Sequence, residues 1–295
     1  MSDTDTPGDG TTDGGTALVL GAGGLVGAAW EIGLLHGLAE AGTDLSDAGL
    51  VVGSSAGAVV GALLTAGTTP LAELYERQLD GTDTEPAVRF GAGTLLRYTL
   101  AALTSRTPEA YGRKLGRLAL RARTVDEAAR RAVVAKRLGE ATEWPGAGRL
   151  RLTAVDAETG ALGVFDGGAD GVGLVDAVTA GCAIPGAWPP ASLAGRRWID
   201  GGVHSTANAH LAAGRDRVIV IAPSALGNKA VHSPARQAAA LTAAGSRVVL
   251  ITPDADAKAV IGARALDPAQ RGAAARAGRA QAAAHAKAVA AVLAG

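Results

Sequence analysis

The 295-residue chain is 48% hydrophobic and 19% charged, a composition that is typical of a folded protein and excludes an intrinsically disordered one. Its 28 basic and 28 acidic residues give a net charge of zero, which argues against a nucleic acid partner. The single cysteine, Cys182, excludes an intrachain disulfide and a metal site built from several cysteines.

The first part of the chain predicts two strand–helix units. Residues 1–15 are rich in Asp, Thr and Gly, and we expect a disordered tail there. An apolar run at 16–20 predicts a buried strand, and a glycine loop then leads into a helix over 28–41. A second short strand at 50–52 leads into a turn of small residues and another helix.

The segment from about 66 to 140 is predicted to be helical and to form a cap or insertion. Thr69-Pro70 and Thr107-Pro108 are predicted helix starts, and Thr124 to Glu127 forms a predicted capping box. From Leu95 to Leu138 there are eleven basic and three acidic residues. Two interpretations fit this excess: a solvated helical face, or a basic surface that contacts an anionic membrane.

The second half of the chain predicts further strands that alternate with helices. Strands are predicted at 149–155 and 161–165, which pair with each other, and at 196–199, 217–222 and 247–252. Helices are predicted at 174–183 and, at the C-terminus, over about 265–295. This alternation predicts an α/β fold with a mostly parallel sheet covered on both faces, as a single domain over residues 16–295.

The turn after the second strand fits the pattern G-x-S-x-G at Gly53, Ser55 and Gly57. In a nucleophile elbow the serine occupies a sharp bend between strand and helix, and the glycines leave room for that bend. The helix that begins there directs unpaired N–H groups toward a developing oxyanion. The structural alternative is a Ser- and Gly-rich turn whose serines only cap the helix.

The glycine loop after the first strand, Gly21 to Gly27, is suited to hold an anion on its backbone N–H groups. A dinucleotide site requires G-x-G-x-x-G, but Val26 stands at the third glycine, and the second strand does not end in Asp or Glu. The pattern therefore favours an oxyanion hole. A tight turn with only a structural role stays open.

A nucleophilic serine needs a base, and the sequence offers an aspartate and several histidines. Asp200 ends a short predicted strand and is followed by two glycines, so its carboxylate can approach Ser55 directly. His232 follows Asp200, which satisfies the Ser-Asp-His chain order of α/β-hydrolases, and His204 and His210 are also near in sequence. An aspartate that only forms a turn is the structural alternative.

Together these motifs resemble those of the bacterial patatin-like phospholipases, over about Ala17 to Pro223. The motifs that carry the resemblance are the glycine loop, Gly53-Ser54-Ser55-Ala56-Gly57, Ala183-Ile184-Pro185-Gly186, Pro189-Pro190 and Asp200-Gly201-Gly202. The resemblance implies a three-layer α/β/α sandwich with a helical cap insertion. It also implies lipid acyl hydrolysis by a Ser-Asp dyad, with no cofactor and no metal.

Each site residue follows from that resemblance by position. Ser55 is similar to the family's nucleophile and Asp200 to its general base. The N–H groups expected in the oxyanion hole are those of Gly23, Gly24 and Leu25. The motif glycines are Gly53, Gly57, Gly201 and Gly202.

Two residues depart from the family pattern, which is Gly-Gly-Gly-x-Arg/Lys-Gly in the loop. Ala22 replaces the first glycine, and Val26 replaces the basic residue. The missing cation raises an alternative, a non-catalytic relative that binds lipids or acyl groups. A nucleotide-binding oxidoreductase is a more distant alternative.

The expected partners are a lipid ester substrate and an anionic membrane surface. No secretory signal and no apolar stretch long enough to span a bilayer are visible in the sequence. We therefore expect a cytoplasmic protein, with peripheral contact at the inner membrane face as a further expectation.

Overall fold

The computed structural model describes residues 15–80, 90–146, 148–168 and 171–294, so the predicted tail lies almost wholly outside the described residues. The strands are β1 (Thr16–Leu20), β2 (Leu50–Ser54), β3 (Leu150–Asp156), β4 (Leu162–Phe165), β5 (Ala191–Leu193), β6 (Arg196–Asp200), β7 (Arg217–Ile221) and β8 (Arg247–Ile251). They form one sheet whose hydrogen-bonded pairs link β5-β6-β3-β2-β1-β7-β8, and β4 also pairs with β3. β3, β2, β1, β7 and β8 run parallel to one another. β4 and β6 each pair antiparallel with β3, and β5 pairs antiparallel with β6.

Helices cover both faces of this sheet. They are α1 (Gly24–Glu40), α2 (Ala56–Ala66), α3 (Leu71–Leu79), α4 (Ala92–Thr104), α5 (Pro108–Arg121), α6 (Glu127–Leu138), α7 (Leu174–Gly181), α8 (Pro234–Ala243), α9 (Ala255–Ile261) and α10 (Arg271–Ala294). The predicted α/β sandwich with a mostly parallel sheet is therefore confirmed.

The two faces of the central strands belong to different core clusters, because side chains alternate along a strand. Leu18, Leu20 and Ile219 pack in the cluster that contains α1, α2 and α10. Val19 and Val218 pack on the opposite face, in a cluster that includes Leu241 of α8. Burial on both faces explains why these strands are continuous apolar runs in the sequence.

The predicted helix starts have different outcomes. At Thr107 the prediction is confirmed, because its hydroxyl accepts the N–H of Ala110 at 3.2 Å and Pro108 is the first residue of α5. At Pro70 it is displaced by one residue, because Pro70 occupies the N-cap position of α3. The predicted C-terminal helix is present as α10 and is preceded by a 3-10 turn at Pro268–Gln270.

The predicted capping box at Thr124 is wrong. The carboxylate of Asp126, two residues later, caps α6 and accepts the N–H of Ala128 at 2.8 Å. Glu127 turns away from the helix start and accepts the hydroxyl of Ser192 at 3.0 Å. Because the side chain of Asp126, and not that of Thr124, caps the helix, α6 starts at Glu127.

Candidate active site

Two strands end facing each other along one edge of β3. β2 runs parallel to β3 and ends with Ser54 opposite Thr153, whereas β6 runs antiparallel and ends with Asp200 opposite Ala154. β4 occupies the other edge of β3 at these positions, so β2 and β6 must share one edge. The carboxyl ends of β2 and β6 therefore point at each other, and Ser55, the residue after β2, lies beside Asp200.

Ser55 and Asp200 are in direct contact. The Ser55 hydroxyl donates a hydrogen bond to Oδ2 of Asp200 at 2.6 Å, and each residue is only 4% exposed. Ser55 occupies the N-cap position of α2 with φ of 53° and ψ of −112°. This left-handed region is strained for a serine, and such strain occurs where the surrounding structure holds a functional residue.

The two glycines of the Ser55 turn are required by close backbone approach. A Cβ on Gly57 would overlap the carbonyl group of Leu20, so α2 could not pack against β1. A Cβ on Gly53 would lie 2.6 Å from the carbonyl oxygen of Gly57. The N–H of Gly57 also donates to the carbonyl oxygen of Gly21 at 3.0 Å, which joins the Ser55 turn to the glycine loop.

Burial determines the basicity of Asp200. Desolvation raises the pKa of its carboxyl. The hydrogen bonds from Ser55 and the Gly202 N–H and the charge of Arg130 lower it, but they offset the desolvation only in part, and the pKa is about 6. The Gly202 N–H donates to Oδ1 at 2.7 Å, so each carboxylate oxygen has one donor. Gly201 packs on Thr153 so closely that a Cβ there would overlap that residue.

Within the described residues, the glycine loop has backbone N–H groups without an acceptor close to Ser55 and Asp200. The N–H groups of Gly21 and Ala22 bond to the carbonyl oxygens of Ile221 and Thr206, and those of Val26 and Gly27 bond to Ala265 and Gly23. Among the described residues no acceptor is found for the three N–H groups between them. These belong to the predicted donors, Gly23, Gly24 and Leu25.

The free donors lie at the start of α1 and on the cavity that Ser55 lines. Gly23 is the N-cap residue of α1, so Gly24 and Leu25 form its first turn. Gly24 has φ of 64°, and a Cβ there would lie 2.6 Å from the carbonyl oxygen of Ala265. Glycine is therefore needed at this position for both conformation and space.

Ser55 lines two cavities. The first, of about 240 Å³, is lined by Gly23, Gly24 and Asp200 and, from the segment 66–140, by Tyr98 and Tyr111. The second, of about 30 Å³, is also lined by Ser55. It is lined by the side chains of Arg130, Arg137 and Trp188, among others.

A comparison with protein-family models shows to which family the chain belongs. A family model described as patatin-like phospholipase matches residues 18–213, which contain the glycine loop, Ser55 and Asp200. The chain belongs to the patatin-like phospholipase family. The family consists of lipid hydrolases. No curated protein sequence matches the chain.

Two solved structures are similar at low identity to this patatin-like chain. VipD from Legionella pneumophila is 14% identical with a TM-score of 0.46, over 93% of this chain and 67% of VipD. The type III effector protein ExoU is 17% identical with a TM-score of 0.41, over 93% of this chain. The match covers 53% of ExoU, so the chain spans about half of its length.

The two departures from the patatin-like loop leave its backbone donors in place. Ala22 is not among the residues with positive φ, and its N–H bonds to the carbonyl oxygen of Thr206 at 2.6 Å. Val26 is fully buried, and its N–H donates to the carbonyl oxygen of Ala265 at 3.0 Å. The segment that precedes α10 therefore supports the loop of this patatin-like protein through backbone contacts.

No histidine of this patatin-like protein hydrogen bonds to Ser55 or Asp200, and all five histidines are within the described residues. His204, His210 and His232 instead line a separate cavity of about 490 Å³. Nδ1 of His204 lies 3.0 Å from Oδ1 of Asn208. Burial lowers the pKa of His210. The geometry gives no support to the Ser-Asp-His alternative.

Asn208 was missed by the sequence analysis, although it connects the two motif turns. It is fully buried, with φ of 52°. Its Nδ2 donates to Oγ of Ser54 at 2.9 Å and to the carbonyl oxygen of Gly201 at 3.2 Å. Asparagine adopts this left-handed region more readily than most residues, but nothing in the sequence indicates which asparagine does so.

Arg130 is the second residue that was missed. Its guanidinium lies 4.0 Å from the ring centroid of Trp188, and the residue is 4% exposed. In the sequence Arg130 was only one of eleven basic residues in a predicted helical segment. A long-range contact with Trp188 has no local signal that would separate it from its exposed neighbours.

Proposed function

We propose that this protein is a serine acyl hydrolase that cleaves lipid carboxylic esters through an acyl-enzyme on Ser55. One observation carries the proposal: Ser55, on a strained strand-to-helix turn, donates a 2.6 Å hydrogen bond to a buried carboxylate with a raised pKa. Gly23 and Gly24, whose N–H groups have no acceptor among the described residues, line the cavity of Ser55 and Asp200, and this supports a role in oxyanion binding.

In the acylation step, the Ser55 oxygen attacks the ester carbonyl carbon, and its proton passes to Oδ2 of Asp200. The carbonyl oxygen becomes an oxyanion that accepts hydrogen bonds from the N–H groups of Gly23, Gly24 and Leu25. The tetrahedral intermediate then collapses, the bond to the leaving alcohol breaks, and Asp200 returns the proton to that alcohol. The acyl group stays bound to Ser55.

In the deacylation step, a water molecule takes the position of the alcohol. Asp200 removes a proton from the water, whose oxygen attacks the acyl carbon, and the same N–H groups hold the second oxyanion. Collapse breaks the bond to Ser55, which regains a proton from Asp200, and the carboxylic acid leaves. Asp200 thus acts as base and then acid in each half of the cycle.

The larger cavity suggests where part of the substrate binds. Tyr98, Tyr111 and Leu115 give it aromatic and apolar walls, which suit an acyl chain. The smaller cavity has only about the volume of one water molecule, so we assign no part of the substrate to it.

The experiment is hydrolysis of a panel of lipid esters and one short soluble ester by the wild type, Ser55→Ala and Asp200→Asn. Both variants should lose hydrolysis of every substrate while they keep the circular dichroism spectrum of the wild type. Lipid binding by a wild type that hydrolyses none of the esters would favour the non-catalytic alternative. Loss of activity in Ser54→Ala but not in Ser55→Ala would contradict the assigned nucleophile.

A further inference from the structure

The outer face of α4 carries four exposed leucines. Leu95, Leu96, Leu100 and Leu103 are 53%, 58%, 50% and 68% exposed. At 3.6 residues per turn they fall within an arc of about 140° around the helix. Ala101 is the one residue of α4 that is buried. A surface helix of a globular protein normally directs its apolar stripe to the core, so the direction here is reversed.

The opposite face of α4 contacts the candidate active site. The Tyr98 hydroxyl donates to the carbonyl oxygen of Pro185 at 2.9 Å, and its side chain lines the cavity of Ser55 and Asp200. Nζ of Lys114, on α5, donates to the carbonyl oxygen of Thr104 at the end of α4 at 2.8 Å. The helix is therefore held in place on one side while its leucines face outward.

The stretch of the chain that contains α4 and α5 is strongly basic, although the whole chain has no net charge. From residue 90 to 125 the chain carries seven basic residues and a single acidic one, Glu109. Arg113, Arg117 and Arg121 repeat every fourth residue on α5 and are exposed, so they form one stripe. Leu120, which is 41% exposed, lies beside this stripe.

We propose that the outer faces of α4 and α5 form a docking surface for an anionic phospholipid membrane. The leucines enter the acyl boundary of the bilayer, while the arginine stripe contacts the phosphates. A second copy of the chain fits less well, because pairing these faces would bring two basic stripes together. The reason for docking rests on the proposed function, since the surface lies next to the cavity where a lipid ester would react.

The test is vesicle binding by the full-length Ser55→Ala variant, which separates binding from hydrolysis. The vesicles contain phosphatidylcholine alone or phosphatidylcholine with phosphatidylglycerol. We expect much tighter binding to the anionic vesicles and a loss of that difference in high salt. Replacing Leu96, Leu100 and Leu103 together by Ser should weaken binding at least about tenfold at any salt concentration.

Replacing Arg113, Arg117 and Arg121 by Gln should weaken binding about a hundredfold at low salt, and much less at high salt. The matched controls are Leu226→Ser, at a leucine that is 75% exposed, and the triple replacement of Lys258, Arg276 and Lys287 by Gln. Both controls should bind as tightly as the parent. Equal binding by the leucine, arginine and control variants would overturn the proposal.

Two further measurements separate the alternatives. In an otherwise active protein, the leucine variant should hydrolyse a short soluble ester at the wild-type rate. If the wild type hydrolyses no ester but the leucine variant loses vesicle binding, the docking surface stands and the proposed function falls. If sedimentation shows a wild-type dimer that the leucine variant dissociates, and vesicle binding is unaffected, the face is an interface between copies.

Discussion

Ser55 donates its hydroxyl proton toward Asp200 across 2.6 Å, and the only other donor to that carboxylate within the described residues is the N–H of Gly202 at 2.7 Å. Two hydrogen bonds do not offset the desolvation of a buried carboxyl, and the pKa of Asp200 is raised to about 6. A carboxylate with this pKa is a stronger base than an exposed aspartate and is still ionised at neutral pH.

The first prediction concerns the pH dependence of hydrolysis. Because Asp200 must be ionised to accept a proton, kcat/KM should rise through pH 6 and stay level at higher pH. The measurement is a pH profile with a soluble ester whose own charge does not change over this range. A single acidic limb near pH 4 would mean that Asp200 has the pKa of an exposed aspartate.

The second prediction concerns stability. The pKa of Asp200 is about 6 in the folded protein and 3.8 in an unfolded reference, so the folded state retains a proton that the unfolded state releases. Stability therefore falls as pH rises through this window, and ionised Asp200 costs up to about 3 kcal/mol at neutral pH. Asp200→Asn should raise the Tm above pH 6 and have no such effect below pH 4.

Asp156 provides a control of opposite sign. Burial raises the pKa of Asp156, but the N–H groups of Thr159 and Glu158 and the Arg196 guanidinium together lower it. The stability from this carboxylate is present at neutral pH and lost as pH falls through its folded pKa. Asp156→Asn should therefore lower the Tm at neutral pH. A lower Tm in both variants would contradict the electrostatic account of Asp200.

The third prediction isolates one oxyanion donor. Leu25 lies in the first turn of α1, where proline is compatible with the helix and its missing N–H breaks no hydrogen bond of the fold. Leu25→Pro should reduce kcat by the equivalent of about 2.7–4 kcal/mol, with little change in KM. Leu25→Ala removes the side chain but keeps the N–H, so the ratio of kcat between the two variants measures the contribution of the N–H donor. Equal kcat values would show that the Leu25 N–H does not bind the oxyanion.

The fourth prediction concerns Arg130, whose charge lowers the pKa of Asp200. Arg130→Met keeps an apolar side chain and removes the guanidinium charge that lies over Trp188, so the acidic limb of the pH profile should move to higher pH. Arg130→Lys should return the limb toward its wild-type position. Arg131, which pairs with Asp176 at the surface, is the matched control, and Arg131→Met should leave the limb unchanged. An unchanged limb in Arg130→Met would show that the charge does not reach Asp200.

The central sheet was predictable because its strands are buried on both faces and therefore form unbroken apolar runs, as at 17–20 and 218–222. The position of Ser55 between β2 and α2 was predictable for a similar reason, since small residues mark the tight turn. The capping box at Thr124 failed because Thr and Asp compete for the same role within three residues. Local patterns give no means to choose between them.

The contact between Ser55 and Asp200 depends on how β2 and β6 share an edge of β3, and strand order is a long-range property. The resemblance to the family indicated that these two residues act as a pair, but it did not give the register of β2 and β6 on β3. Asn208 and Arg130 were missed because their partners are distant in sequence, at Ser54 and Trp188. The outward direction of the α4 leucines also needed the structure, because an amphipathic pattern does not show which side faces the core.

The central claim, that Ser55 is the nucleophile activated by Asp200, is tested most directly by covalent labelling. A fluorophosphonate reacts with an activated serine, which displaces fluoride and forms a stable phosphonate ester. Mass spectrometry should find one adduct on the wild type, on the peptide at Ser55, with a labelling rate that rises through pH 6. Ser55→Ala should not label and Asp200→Asn should label far more slowly. An adduct on Ser54 or on any other residue, or equal labelling of the wild type and Ser55→Ala, would contradict the claim.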